Sequence, residues 1–221
     1  EGASAASTSG AGASAASAEV ALPSKAEVAA WLKKHKVELS EGCPPPVITF
    51  AAARLLPELL QKLEAAGFDA PSPIQAASWS PAVAGRDVVA IAKTGSGKTL
   101  GYLAPAIGRI ASDPTMLVMR QPAALVLAPT RELATQIQVE CERFGASSGI
   151  ASVCVYGGAP RAAQLAELEK GVHLIVATPG RLNDFIDAGQ VELDEVKYVV
   201  LDEAHRMLDM GFEPQIREAL K

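Results

Sequence analysis

Ala92-Lys93-Thr94-Gly95-Ser96-Gly97-Lys98-Thr99 reads as a phosphate-binding loop. It follows the apolar run Val88-Val89-Ala90-Ile91 and precedes the helical apolar pattern Leu100-Gly101-Tyr102-Leu103-Ala104. That is the strand–loop–helix context such a loop needs. Gly95 and Gly97 let the backbone curl so that successive N–H groups point at one centre and cradle phosphate oxygens. The N-terminus of the following helix adds partial positive charge at the same place. Lys98 can reach the β- and γ-phosphates, and the Thr99 hydroxyl can ligate Mg²⁺. The first glycine of the strict G-x-x-x-x-G-K-[ST] pattern is replaced by Ala92. A Gly/Ser turn that binds nothing is the bland alternative, and the flanking context favours a nucleoside triphosphate.

Outward from this loop the chain alternates short β-branched runs with helical stretches. Beyond Val88–Ile91, strands are expected at Ala124-Leu125-Val126-Leu127, Ser152-Val153-Cys154-Val155, Leu174-Ile175-Val176 and Tyr198-Val199-Val200-Leu201. Helices are expected over Arg131 to Phe144, Ala162 to Glu169 and Gly180 to Ala188. Near-continuous apolar strands separated by helices predict an α/β fold, a parallel sheet with helices on both faces. In such sheets ligands bind beyond the carboxyl ends of the strands. Residues 1–22 are nearly all Ala, Ser, Gly and Thr and predict a flexible tail. Residues 23–49 predict a helix, capped by Ser24 with Glu27 completing a capping box, and an extended linker through Cys43-Pro44-Pro45-Pro46. Residues 50–221 form the main domain. It opens with a helix carrying Leu55, Leu56, Leu59, Leu60 and Leu63, followed by another starting near Pro73. The last ten residues read as a helix that stops abruptly.

Composition narrows the function. The net charge is −5, so a nucleic acid cannot be held by bulk positive charge and must be gripped by local N–H groups and a few placed cations. No apolar run reaches membrane-span length, and no membrane partner is expected. Cys43, Cys141 and Cys154 form no C-x-x-C pair, which speaks against structural zinc and suits a reducing compartment.

A second signal is Val199-Val200-Leu201-Asp202-Glu203, an apolar strand ending in paired carboxylates. Asp202 would hold Mg²⁺, partly through water, and Glu203 would orient and deprotonate an attacking water. Acids that merely favour a helix N-terminus are the alternative. Gln75 can donate to and accept from an adenine edge. Phe50 offers a face for a base, or is an ordinary core aromatic.

The motifs stand in a definite order. Phe50 precedes Gly67-Phe68-Asp69-Ala70-Pro71-Ser72-Pro73-Ile74-Gln75, and Ala92 to Thr99 comes next. Pro129-Thr130-Arg131-Glu132-Leu133-Ala134, Gly157-Gly158, Thr178-Pro179-Gly180-Arg181 and Asp202-Glu203-Ala204-His205 complete the set. From about residue 46 to 221 the chain resembles the first RecA-like lobe of a DEAD-box ATP-dependent RNA helicase, within that family the p68/Dbp2-like group. The resemblance implies a RecA-like P-loop fold, ATP and Mg²⁺ as cofactors, and a family that accepts Ala at position 92. It implies that Phe50, Phe68 and Gln75 serve adenine as a Q motif, and that Thr94, Gly95, Ser96, Gly97, Lys98 and Thr99 hold the phosphates. Lys98, Asp202 and Glu203 would be catalytic, with Thr99 and Asp202 on the metal. Pro129, Thr130, Arg131, Gly158, Thr178, Pro179, Gly180 and Arg181 would grip RNA through its sugar-phosphate, without reading bases.

Two departures matter. His205 stands where the family has Asp, a residue tied to coupling hydrolysis with lobe closure, so ATP binding is expected to persist while coupling changes. The Ser-Ala-Thr motif and the second RecA-like lobe are missing, so the fragment is expected to be nearly inactive alone. The implied partners are RNA, that second lobe and ribonucleoprotein components, in the nucleus or cytoplasm with an organelle open. Two rivals stand beside this reading. One is a non-enzymatic RNA- or protein-binding adaptor lobe; the other is an unrelated phosphate-loop ATPase such as a transporter subunit. The Q motif and Pro129-Thr130-Arg131 speak against the second.

Overall fold

Strands β1 (Ala124–Leu127), β2 (Ser152–Val155), β3 (Leu174–Ala177) and β4 (Tyr198–Leu201) form a four-stranded sheet in the order β2-β3-β1-β4. All three ladders are parallel, with Ala124 level with both Leu174 and Tyr198. The computed structural model describes residues 23–53, 55–119 and 121–221, so the tail expected over residues 1–22 lies outside the described residues. Every residue of β1 and β3 is buried, as a parallel sheet covered on both faces requires. Alternate side chains then part into two cores. Ala124, Val126, Leu174 and Val176 pack with Leu103, Ile107, Ile137 and Phe144 of α4 (Lys98–Ala111) and α6 (Arg131–Gly145). Leu125, Leu127, Ile175 and Ala177 pack on the other face with Leu182 and Phe185 of α8 (Pro179–Asp187). Met207 of α9 (Ala204–Asp209) and Ile216 of α10 (Glu213–Ala219) join that second core.

The expected first strand is a correction. Val88–Ile91 joins no ladder, and Val89 and Ile91 are 94% exposed. An apolar run becomes a strand only beside a neighbour with free N–H and C=O groups. Among the described residues β4 pairs with β1 alone and its outer edge is open. Val88–Ile91 makes no backbone hydrogen bond to that edge, however, so its apolar pattern alone does not make it a strand. The other four strands stand where the sequence puts them.

Local chemistry sets the helices. Ser24 and Glu27 form the expected box at the start of α1 (Lys25–His35), with Glu27 N–H donating to Ser24 Oγ and Ser24 N–H to Glu27 Oε2. Pro57 occupies the first turn of α2 (Pro57–Ala65), so Leu55 and Leu56 fall before the helix rather than in it. The triproline segment carries neither helix nor strand, and Val47 N–H just beyond it donates to Ala76 O of α3 (Pro73–Val83) at 2.8 Å. The short helix α5 (Pro114–Met119) was not expected; Asp113 nucleates it by accepting from Thr115 N–H at 2.9 Å.

Helices α3 and α4 meet around a defect. Pro105 sits inside α4 and has no N–H to give the carbonyl of Gly101. Ser78 of α3 supplies the missing donor, its Oγ lying 3.2 Å from Gly101 O, and Trp79 Nε1 donates to the neighbouring Leu100 O at 3.0 Å. This fastening holds the helix that follows the phosphate loop. No helix among the described residues is long and apolar enough to cross a membrane.

Ser78→Ala leaves the buried Gly101 carbonyl without a donor. It should lower unfolding free energy by about 1–2 kcal/mol. Urea denaturation would show this as a lower midpoint at unchanged slope, and an unmoved midpoint would contradict the Pro105 argument.

Candidate functional site

The glycines of the loop have a conformational task. Gly95 and Gly97 lie at φ 76° and 90°, in the left-handed region that side chains rarely adopt. Gly97 is also crowded, since a Cβ there would come within 2.7 Å of Gln75 Nε2. Gln75 is buried and both ends of its amide are engaged: Oε1 accepts from Ser72 N–H at 3.0 Å, and Nε2 donates to Gly97 O at 3.1 Å. The segment expected to meet a base is thereby fastened to the phosphate loop. Phe50 packs in the core against Trp79, with ring centroids 6.2 Å apart, whereas Phe68 is 40% exposed.

Helix α4 starts at Lys98, so its free first-turn N–H groups face the loop. Lys98 Nζ lies 2.8 Å from Glu203 Oε1, joining the loop to the end of β4. Glu203 occupies the N-cap position of α9 but makes no side-chain cap; its carboxylate turns to Lys98 instead. Glu203 is one of two non-glycine residues with positive φ among the described residues, at φ 52°. Such a backbone costs about 1–3 kcal/mol and clusters at working sites. Lys98 holds the Glu203 carboxyl below the usual range by hydrogen bonding; burial opposes this, and the charges of Lys98, His205 and Arg206 add to it. His205 Nε2 is 3.4 Å from the other Glu203 oxygen, on a side chain 76% exposed.

Asp202 is buried, with both oxygens occupied. Oδ1 accepts from Glu203 N–H at 2.9 Å and Oδ2 from the Tyr102 hydroxyl at 2.9 Å. Burial, then the charge of Asp202, pushes the Tyr102 phenol far up, so it remains a donor; the Thr99 hydroxyl lies against it. Thr99 and Asp202 thus share Tyr102 as a neighbour. Among the described residues no group of three or more His, Cys, Asp or Glu could hold a metal. One carboxylate and one hydroxyl suit a hard cation that keeps waters and phosphates as its other ligands.

Along the same carboxyl edge, the loops after β1, β2 and β3 form a second cluster. Thr130 caps α6, accepting from Leu133 N–H, and Pro129 is buried beside it. Arg131 lies 4.8 Å over the Tyr156 ring. Gly158 is exposed at φ 80°, where a side chain would be strained. Thr178 N–H donates to Val155 O at 3.0 Å, Pro179 opens α8, and Gly180 is exposed. The Arg181 side chain is 11% exposed and donates to Ala159 O and Gln164 Oε1, each at 3.2 Å. Motif reading missed Tyr102, Tyr156 and Gln164. Tyr102 had a signal, three residues after Thr99 on one helix face.

Residues 72–221 match the family model for DEAD/DEAH box helicases. The chain is 54% identical over 216 residues to DEAD-box ATP-dependent RNA helicase 14 of Arabidopsis thaliana, covering 94% of this chain and 34% of that protein. It is 50% identical over 201 residues to ATP-dependent RNA helicase DBP2 of Scheffersomyces stipitis, covering 90% and 38%. Among solved structures, the yeast DEAD-box splicing factor Prp28 aligns with a TM-score of 0.80 at 29% identity, over 90% of this chain and 47% of that one. The chain spans between 18% and 38% of the length of such curated relatives.

The Lys98–Glu203 pair carries a pH signature. A carboxyl held low in the folded state stabilises above its unfolded pKa, and that contribution is lost as pH falls through the folded pKa. Glu203→Gln should therefore cost stability near neutrality, by about 1 kcal/mol or less because both groups are partly exposed. The gap between variant and parent should close as the solution is acidified below about pH 4. Thermal melts across that range check it, and a gap constant with pH would exclude the ion pair as its cause.

Proposed function

The chain belongs to the DEAD/DEAH box helicase family, and on that premise we propose that it is the ATP-binding RecA-like lobe of an ATP-dependent RNA helicase. The observation that carries this reading is the 2.8 Å contact between Lys98 and Glu203, which brings the phosphate loop and the carboxylate pair to one place. Incoming phosphates compete with Glu203 for Lys98. Once Lys98 turns to the β- and γ-oxygens, Glu203 is released to orient the attacking water and take its proton. Asp202 and Thr99 would hold Mg²⁺, which when bound neutralises charge on the β- and γ-phosphates. Thr94, Gly95, Ser96 and Gly97 supply the N–H cradle. Phe68 and Gln75 serve the adenine side, with Phe50 buried against Trp79 and supporting that segment from the core. The Gln75 bond to Gly97 connects base recognition with the loop.

RNA is gripped by its backbone at Pro129, Thr130, Arg131, Gly158, Thr178, Pro179, Gly180 and Arg181. Exposed Gly158 and Gly180, the Thr130 and Thr178 hydroxyls and the Arg131 and Arg181 guanidinium groups suit phosphate and sugar rather than base edges. Longer relatives named ATP-dependent RNA helicases support work on RNA. A second RecA-like lobe, ribonucleoprotein partners and a place in the nucleus or cytoplasm belong to the same proposal. That lobe would supply arginine fingers, worth about 10³–10⁵ in rate, so this chain alone turns over ATP poorly. His205, 3.4 Å from Glu203, alters the coupling of hydrolysis to lobe closure while leaving ATP binding in place.

The test is ATP hydrolysis with and without single-stranded RNA, in a protein carrying both lobes. Lys98→Ala should lower RNA-stimulated turnover by about 100-fold or more. ATP binding without any turnover would instead establish an adaptor. His205→Asp should change the degree of RNA stimulation while nucleotide affinity stays close to the parent's; an unchanged stimulation would remove His205 from coupling.

A further inference from the structure

Gln164 belongs to none of the motifs, yet it is 8% exposed and makes three hydrogen bonds. It lies on α7 (Arg161–Leu168), behind the loop that follows β2. Its Oε1 accepts from Tyr156 N–H at 3.1 Å, and its Nε2 donates to Tyr156 O at 3.0 Å. One side-chain amide thus takes up both backbone groups of the first residue beyond the strand, as a neighbouring strand would. The same Oε1 receives Arg181 Nη1 at 3.2 Å, and that nitrogen also donates to Ala159 O at 3.2 Å. The Tyr156 ring carries the Arg131 guanidinium at 4.8 Å. Directly or through one residue, Gln164 touches all three segments assigned to the RNA backbone. Arg181 Nε is buried without a hydrogen-bond partner, 3.5 Å from Asp184 Oδ2. Among the described residues its guanidinium is therefore hydrogen-bonded only through Nη1, to the Gln164 and Ala159 oxygens, with Asp184 as an ion-pair partner.

We propose that Gln164 is the positioning residue of the RNA-backbone surface: its amide fixes the Arg181 guanidinium and the 156–160 loop for gripping phosphate. The proposal rests on the RNA reading above. A long arginine left free loses rotamer freedom on binding, and Gln164 settles that loss in advance. Arg181 is held by the amide's acceptor oxygen, while its donor N–H serves only the Tyr156 carbonyl. Glutamate keeps the acceptor for Arg181 and the Tyr156 N–H, and leucine keeps neither.

The experiment is anisotropy of a labelled single-stranded oligouridylate titrated with this chain at several salt concentrations. Gln164→Leu should weaken binding several-fold, and the slope of log affinity against log salt should fall by about 0.7, one single-strand phosphate contact. Combined with Arg181→Ala it should add nothing to the loss from Arg181→Ala alone, because both remove one contact. Gln164→Glu should recover most of the affinity. Parental affinity in Gln164→Leu, additive losses in the double variant, or equal losses in the Leu and Glu variants would overturn the proposal while leaving RNA binding in place. RNA binding absent from the parent chain, or indifferent to Arg181→Ala, would overturn the RNA reading itself. Melting curves show whether each variant folds, and Gln164→Met replaces Gln164→Leu if the latter does not.

Discussion

Burial of β1 and β3 on both faces is the constraint from which the rest follows. No residue of Ala124–Leu127 or Leu174–Ala177 exposes any surface, so neither strand has a solvent side. Helices must cover each face, and parallel ladders send every strand the same way. Each strand then ends at one edge, and the loops that bear the chemistry meet there. Thr130, Tyr156, Thr178 and Asp202 come from distant parts of the chain and share an edge only because their strands share a direction. A polar residue placed within β1 or β3 would threaten the site as surely as one placed in it.

Much of this was legible in the sequence because the signals are local. Four β-branched runs became strands, and Ser24 with Glu27 made the predicted box. Val88–Ile91 has the same composition and stayed out of the sheet. A strand is a relation between two segments, and hydrophobic pattern describes only one of them. Pro57 displaced the start of α2 for a local reason that the leucine spacing concealed.

The site divides in the same way. Lys98, Asp202 and Glu203 were readable because a phosphate site needs those groups at those strand ends. Gln75 was readable by type, but its commitment to Ser72 and Gly97 was not, since that depends on how α3 lies against the loop. Gln164 left no trace in any motif because it acts on backbone atoms of Tyr156, which bear no mark of residue type. Groups that hold other groups are set by three-dimensional neighbours, and short patterns record only those that face the ligand.

The outer border of β4 has a colloidal consequence. Among the described residues β4 pairs only with β1, and Val199 and Leu201 remain 43% and 40% exposed. Val89 and Ile91 add apolar surface that none of the described residues covers. An open parallel edge next to bare aliphatic side chains is a template for another chain's backbone. A net charge of −5 spread over 221 residues repels weakly once salt screens it. The same open border that leaves the sheet four strands wide thus gives this polypeptide a built-in stickiness that rises with concentration and ionic strength.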